Sequence, residues 1–119
     1  MDRPLDEVIL IGFSLGCYPT AKIAAKYKVK GVILISPMMS LISLIEDESK
    51  LGVNTLFKND ELNILEVIEN IESHLLIMHS KHDEMIPFRH SQLIYQRYVK
   101  FSKFWPLAHL VEVQNLRHN

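Results

Sequence analysis

Short apolar runs alternate along the chain with longer segments in which apolar side chains recur at helical spacing. Val8–Ile11, Val32–Ile35 and Leu75–Met78 are uncharged, aliphatic and closely bounded by polar, Gly or Pro residues. Such runs are typical of strands buried on both faces of a parallel sheet. A weaker fourth run, Leu110–Val113, includes an acidic residue. The pattern predicts a parallel sheet of about four strands.

Helical patterns separate these runs. Leu15–Tyr27 follows the first run and Phe88–Val99 the third, while Met38–Ile45 and Asp60–Ile71 lie between the second and third. A strand, a helix and a second strand within about 30 residues indicate a right-handed βαβ unit. The sequence therefore predicts an α/β fold, a parallel sheet with flanking helices.

Composition narrows the class of protein. The 119 residues, 48% hydrophobic and 23% charged, suit a single soluble domain spanning 1–119. A net charge of -1 gives no reason to expect nucleic acid as a partner. The single cysteine, Cys17, is predicted to be a small packing residue rather than a nucleophile, and it favours a reducing, cytoplasmic location.

No targeting or membrane-spanning segment is predicted. The N-terminus lacks the basic start and apolar stretch of a signal peptide. Gly31–Ile45 carries no charge, but it is shorter than the roughly 20 residues of a spanning helix and contains Pro37. A buried strand followed by the start of a helix is the favoured interpretation, and contact of this segment with a membrane is the alternative.

The segment Gly12–Gly16 reads Gly-Phe-Ser-Leu-Gly and lies between an apolar run and a helical pattern. This G-x-S-x-G sequence in a strand–turn–helix setting is typical of a nucleophile elbow. The tight turn strains Ser14, and we expect the two glycines to remove clashes. The N–H of Leu15, at a helix start, is a candidate oxyanion donor. Alternatively, the serine only caps the helix.

A serine nucleophile needs a histidine base, and the base needs a carboxylate to orient it. After such an elbow, the order along the chain is serine, acid, histidine. Asp83 lies in the loop after the third run, with Glu84 as an adjacent competitor, and His118 follows the fourth run. We therefore predict Ser14, Asp83 and His118 as the catalytic residues.

The remaining histidines are given structural interpretations. His79 ends a predicted strand, where we expect it to pack against or hydrogen-bond to the acid loop. His74 and His90 are predicted at the surface, and His109 before the fourth strand, on the wrong side for a base. His79 and His82 have a spacing that can bind metal, but no third ligand is evident, so neither metal nor cofactor is predicted.

These motifs together resemble one family of α/β-hydrolase fold, the α/β-hydrolase-domain 17 family of protein depalmitoylases. Four segments carry the resemblance: Val8–Ala25, Gly31–Ser40, Ile77–Phe88 and Arg117–Asn119. It is specific to this branch at Pro19-Thr20 and Ser36-Pro37. The resemblance implies a serine hydrolase of (thio)esters that removes palmitate from proteins, with an acylated protein or a small (thio)ester as substrate. Core packing is the favoured interpretation of the methionines, and the alternative is a set of four residues that line an acyl pocket: Met38, Met39, Leu41 and Ile42.

The sequence also departs from that family. Ser80 and Arg117 stand where the family has glycine, and the likeness covers only the family's C-terminal half. We therefore expect weak activity, because the loop with the second oxyanion donor belongs to the N-terminal half. A palmitoylated cysteine-rich segment of that half implies that a longer form would be peripheral at membranes.

The same topology predicts an exposed edge at strand 8–11, because its other neighbour in the family comes from the N-terminal half. A homodimer or that half itself is the expected partner at this edge. The alternative to catalysis is an inactive α/β-hydrolase fragment that acts as an interaction module.

Overall fold

A computed structural model of the chain describes residues 4–40 and 62–114, and within these ranges the predicted alternation is present. The strands and helices in chain order are β1 (Ile9–Phe13), α1 (Cys17–Lys26), β2 (Gly31–Ile35), β3 (His74–His79), α2 (Arg89–Phe101) and β4 (Ala108–Glu112). The sheet has the order β1-β2-β3-β4, and every neighbouring pair is parallel. The predicted α/β class and parallel sheet are confirmed.

Helices α1 and α2 cover one face of the sheet and form the core with it. Val32, Leu34, Leu75 and Ile77 point into this core and are at most 1% exposed. The two helices contribute small and large apolar side chains to the same core: Cys17, Ala21 and Ala24 from α1, and Ile94 and Tyr98 from α2. The period-2 alternation along β2 and β3 places their other residues on the opposite face.

The opposite face of the sheet is apolar and exposed in the described part of the chain. Ile9, Ile11 and Phe13 of β1 are 52%, 63% and 48% exposed. An open groove of about 480 Å³ runs over this face, from Ile9 across Ile33 and Leu76. The strands thus have the apolar residues on both faces that the sequence pattern indicated, while only one face is covered by described elements.

The prediction of a helix over Asp60–Ile71 is wrong for residues 62–71, the part that the structure describes. Residues 62–71 instead form two short 3₁₀ turns, Ile64–Glu66 and Ile68–Asn70. The side chain of Asn63 accepts a hydrogen bond from the N–H of Leu65 at 2.9 Å. Because this cap starts a new turn at Ile64, within the segment, a continuous helix does not form. Ile64, Ile68 and Ile71 are still fully buried, so the apolar spacing correctly identified core positions.

The helix predicted over Met38–Ile45 also fails where it is described, since residues 38–40 are not helical and 41–45 lie outside the described ranges. Met39 instead forms backbone bonds to distant parts of the chain. The uncharged segment Gly31–Ile45, for which a membrane contact was the alternative, begins with strand β2. In the part of the chain that the structure describes, no helix combines the length and apolar character needed to cross a membrane.

Candidate active site

Ser14 lies in a tight turn between a strand and a helix. It follows β1 directly and begins a 3₁₀ turn, Ser14–Gly16, that leads into α1. Its backbone φ is 55°, in the left-handed region that non-glycine residues rarely adopt. The residue is half-buried. This is the strand–turn–helix geometry and the strained backbone predicted for a nucleophile elbow.

Only one of the two flanking glycines is needed for close packing. A Cβ on Gly12 would lie 2.7 Å from Oγ1 of Thr20 and 2.9 Å from Cα of Cys17. On Gly16, a Cβ would meet no atom within 4 Å. The expectation that Gly16 also removes a clash is therefore wrong, because the space beside it is open and its backbone has an ordinary helical conformation.

Cys17 has no role as a nucleophile in this site. Its side chain is 1% exposed, and Sγ contacts the carbonyl oxygen of Ile35 at 3.4 Å. Burial raises the pKa of the Cys17 thiol to about 12, so it stays protonated at neutral pH. Its interpretation as a packing residue is confirmed.

The carboxyl ends of the strands bring candidate residues to one edge of the sheet. Phe13 pairs with Ile35, and Ile35 pairs with Met78, so Ser14, Ser36 and His79 follow at the same level. Adjacent strands are about 4.8 Å apart, which separates the chain at Ser14 from the chain at His79 by about 10 Å. This distance leaves room for an imidazole between Ser14 and the loop that follows β3.

Asp83 lies in that loop and is held by its backbone. Its Oδ1 accepts hydrogen bonds from the N–H groups of Met85 and Ile86, each at 2.9 Å. The residue is 8% exposed, whereas its neighbour Glu84 is exposed. Two N–H donors fix the orientation of the carboxylate, and a catalytic acid needs a fixed carboxylate to orient a histidine. The geometry favours Asp83 over Glu84.

His79 is fully buried and contacts the acid loop, as the sequence predicted. Its Nε2 lies 2.9 Å from the carbonyl oxygen of Ile86 and 3.2 Å from Oδ2 of Asp83. On the other side of the ring, Nδ1 lies 2.6 Å from Oγ of Ser91 in α2. The imidazole therefore connects α2 with the loop that carries Asp83.

His90 was predicted at the surface, and this is wrong, since it is fully buried. Its Nδ1 accepts a hydrogen bond from the N–H of Met39 at 2.8 Å, which ties the loop after β2 to α2. The adjacent pair His90 and Ser91 thus connects α2 to the loop after β2 and to the end of β3, at the carboxyl edge of the sheet. The sequence offered one signal for this role, namely two polar residues at the start of an amphipathic helix directly after the acid loop.

Ser80, where the resembled family has glycine, supports the turn of the acid loop. It is fully buried, and its hydroxyl accepts a hydrogen bond from the N–H of His82 at 3.0 Å. It also contacts the carbonyl oxygen of Gln114 at 3.4 Å. This substitution is therefore accommodated, because the added hydroxyl satisfies backbone groups of the loop.

The roles of the other six predicted site residues stay predictions, and three of these residues lie outside the described ranges. His118, Leu41 and Ile42 lie outside the described ranges, so their roles stay predictions. Met38 is 3% exposed, and Met39 is partly buried. The role of Leu15 as oxyanion donor also stays a prediction, although it lies in the turn directly after Ser14.

His74 and His109 lie within strands rather than in the loops at this edge. His109 is the second residue of β4 rather than a residue before it, and it lies on the exposed sheet face. His74 begins β3 and is exposed, as predicted. Among residues 4–40 and 62–114, no three acidic, cysteine or histidine side chains are grouped so that they could hold a metal ion.

Comparison with known proteins assigns the family. A model of the uncharacterised protein family UPF0227 matches residues 2–103. The chain belongs to UPF0227. The matched region contains both Ser14 and Asp83.

The UPF0227 chain is also similar to two groups of curated relatives. It is 32% identical over 92 residues to alpha/beta hydrolase domain-containing protein 17C of Xenopus tropicalis, which covers 77% of this chain and 28% of that protein. It is 33% identical over 95 residues to alpha/beta hydrolase domain-containing protein 17B of Homo sapiens, covering 80% and 31%. The predicted resemblance is confirmed, and the chain spans less than a third of the length of these relatives.

Solved structures confirm the α/β-hydrolase fold of the UPF0227 chain. The acylaminoacyl peptidase of Pyrococcus horikoshii superposes with a TM-score of 0.74 at 17% identity, over 96% of this chain and 20% of that chain. The esterase domain of a Rhodothermus marinus protein superposes with a TM-score of 0.68 at 18% identity, over 92% and 50%. At these identities the likeness is one of fold.

Proposed function

We propose that this chain is a serine hydrolase of esters and thioesters, with Ser14 as nucleophile, His118 as base and Asp83 as acid. The observation that carries the proposal is the strained Ser14 turn at the same sheet edge as a buried carboxylate that accepts two N–H bonds. Similarity to α/β hydrolase domain proteins over most of this chain supports it.

In the proposed reaction, Ser14 Oγ attacks the substrate carbonyl while His118 accepts the hydroxyl proton. The N–H of Leu15 donates to the resulting oxyanion. Collapse of this intermediate breaks the carbonyl–sulfur or carbonyl–oxygen bond, and His118 returns its proton to the leaving thiol or alcohol. Water then attacks the acyl-serine with the same histidine as base, which releases the carboxylic acid and regenerates Ser14. Asp83 orients His118 throughout.

The described end of the chain is compatible with His118 as the base. After β4, the N–H of Val113 bonds to the carbonyl oxygen of His79 at 2.9 Å, and Gln114 contacts Ser80. The last described residues, Val113 and Gln114, therefore lie beside the acid loop. Four further residues reach at most about 14 Å, enough for His118 to approach Asp83.

We further propose a long-chain acyl thioester on a protein as substrate, on the basis of the resemblance to protein depalmitoylases. Met38 and Met39 lie just after the carboxyl end of β2, beside the nucleophile strand. Flexible thioethers adapt well to an acyl chain. Comparing turnover of acetyl and palmitoyl thioesters tests this point, and equal kcat/KM for the two would contradict it.

The activity itself is tested by labelling with a fluorophosphonate, which reacts only with an activated serine. We expect the wild-type chain and Cys17→Ala to be labelled, and Ser14→Ala not to be. Asp83→Asn should slow labelling by about 10⁴-fold, since the base loses its orienting carboxylate. A folded wild-type chain that is not labelled would favour the alternative, a non-catalytic interaction module.

A further inference from the structure

We propose that His79 and Ser91 are positioning residues that hold the acid loop, and through it Asp83, in its working geometry. The catalytic meaning of this inference rests on the proposed function, because it takes Asp83 as the triad acid. The three side chains form a continuous buried series, Ser91 Oγ to His79 Nδ1 at 2.6 Å and His79 Nε2 to Asp83 Oδ2 at 3.2 Å.

This series is not itself a catalytic triad. His79 and Ser91 are fully buried, so a substrate carbonyl cannot reach the Ser91 hydroxyl. Ser91 lies within the first turns of α2, a regular helix, and lacks the strained turn that presents Ser14. The contacts of Ser91 and His79 therefore position Asp83, and these two residues do not take part in the reaction.

The contacts determine which ring nitrogen carries the proton. Nε2 of His79 faces two acceptors, the carbonyl oxygen of Ile86 at 2.9 Å and the carboxylate of Asp83. A neutral imidazole has one donor and one acceptor, so Nε2 holds the hydrogen and Nδ1 accepts from the hydroxyl of Ser91. Ser91 thus selects the tautomer that points a donor at the acid loop.

Without His79, the acid loop would have fewer contacts with the rest of the fold. Glu84 and Met85 are exposed, and the donors to Oδ1 of Asp83, the N–H groups of Met85 and Ile86, belong to the loop itself. His79 supplies the connection from this loop to the sheet, and Ser91 extends the connection to α2. Removing the contacts of His79 should let the acid loop open without unfolding the sheet.

Two substitutions of His79 separate its two contacts. In His79→Gln, the amide nitrogen can occupy the place of Nε2 and keep the donor to the acid loop. In His79→Asn, the amide lies near the place of Nδ1, so the contact with Ser91 is kept and the donor to the loop is lost. Ser91→Ala removes only the tautomer-selecting hydroxyl. Ser73→Ala is the matched control, because it removes another buried serine hydroxyl, bonded to the N–H of Val29.

The measurement is hydrogen exchange of the Met85 and Ile86 amides by NMR, together with the rate of fluorophosphonate labelling at Ser14. We expect His79→Asn and Ser91→Ala to speed exchange of these amides about tenfold, His79→Gln to do so less, and Ser73→Ala not at all. Labelling should slow in the same order, with partial rescue in His79→Gln.

Unchanged exchange in both His79→Asn and Ser91→Ala would overturn the proposal. Faster exchange with undiminished labelling would overturn the catalytic part, since the loop would then be held for stability alone. An unlabelled wild-type chain would refute the proposed function, whereas the exchange data would still decide whether this pair holds the acid loop.

Discussion

Ser14 and Ser36 both have left-handed backbones, with φ of 55° and 51°, at the carboxyl ends of neighbouring strands. A non-glycine residue pays about 1–2 kcal/mol for this conformation, and such residues cluster at functional sites. Ser36 is fully buried, and within the described residues its hydroxyl has no hydrogen-bond partner. Two strained serines side by side at one sheet edge indicate a shape maintained for function rather than for stability.

The strain at Ser14 predicts different stabilities for two inactive variants. Ser14→Ala removes the hydroxyl and keeps the strain, whereas Ser14→Gly removes both. We therefore expect Ser14→Gly to be more stable than Ser14→Ala by roughly 1 kcal/mol, as measured by urea denaturation. Equal stability would mean that the turn relaxes in solution to an ordinary backbone conformation.

At the scale of elements, β1 and α1 pack so closely that the turn between them has little freedom. Thr20 of α1 bonds through Oγ1 to the carbonyl oxygen of Gly16 at 2.8 Å, and the same oxygen of Thr20 lies next to Gly12. Pro19 stands in the first turn of α1, where its missing N–H removes no helical bond. The elbow is thus set by strand and helix together.

This packing predicts opposite effects of alanine at the two glycines. Gly12→Ala should destabilise the chain by about 1–3 kcal/mol, because its Cβ would overlap backbone atoms of the helix. Gly16→Ala should be neutral or stabilise by up to about 1 kcal/mol, because the site is open and the backbone is already helical. Thermal unfolding of the pair checks this, and equal losses would refute the assigned packing.

At the scale of the whole molecule, the elements within residues 4–40 and 62–114 cover one face of the sheet and leave the other, apolar face exposed. Of the described strands, β1 lies at an edge, and three of its side chains are about half exposed or more. It carries no charge from Val8 to Phe13, whereas natural edges are usually charged, short or covered. An apolar surface of this kind drives association.

We therefore expect the purified chain to self-associate through β1 and the exposed face. Ile11→Lys places a charge at the centre of this surface, where Ile11 is 63% exposed, and should shift the chain toward monomer. Ile23→Lys, at a 49% exposed position of α1, is the matched control and should not. Size-exclusion chromatography with light scattering measures both. A wild-type chain that is monomeric at tens of micromolar would contradict the expectation.

The sequence by itself determined the parts of this protein that depend on local pattern. Four apolar runs predicted four parallel strands, and glycines around Ser14 predicted the elbow, because strand burial and turn geometry depend on residues adjacent in the chain. The placement of Ser14 and Asp83, each in the segment after a strand, followed from the same alternation. These features are present in the structure.

Tertiary structure alone decided where the buried polar groups go. His90 was predicted at the surface, and no role was predicted for Ser91, yet both are buried and bonded to other segments. The sequence did not indicate these contacts, because the partners of His90 and Ser91 lie 51 and 12 residues away. The segment before Ile71 has helical spacing, but an Asn63 cap divides it into two turns. Periodicity indicates which residues are buried, whereas hydrogen-bond partners are determined only once distant segments meet.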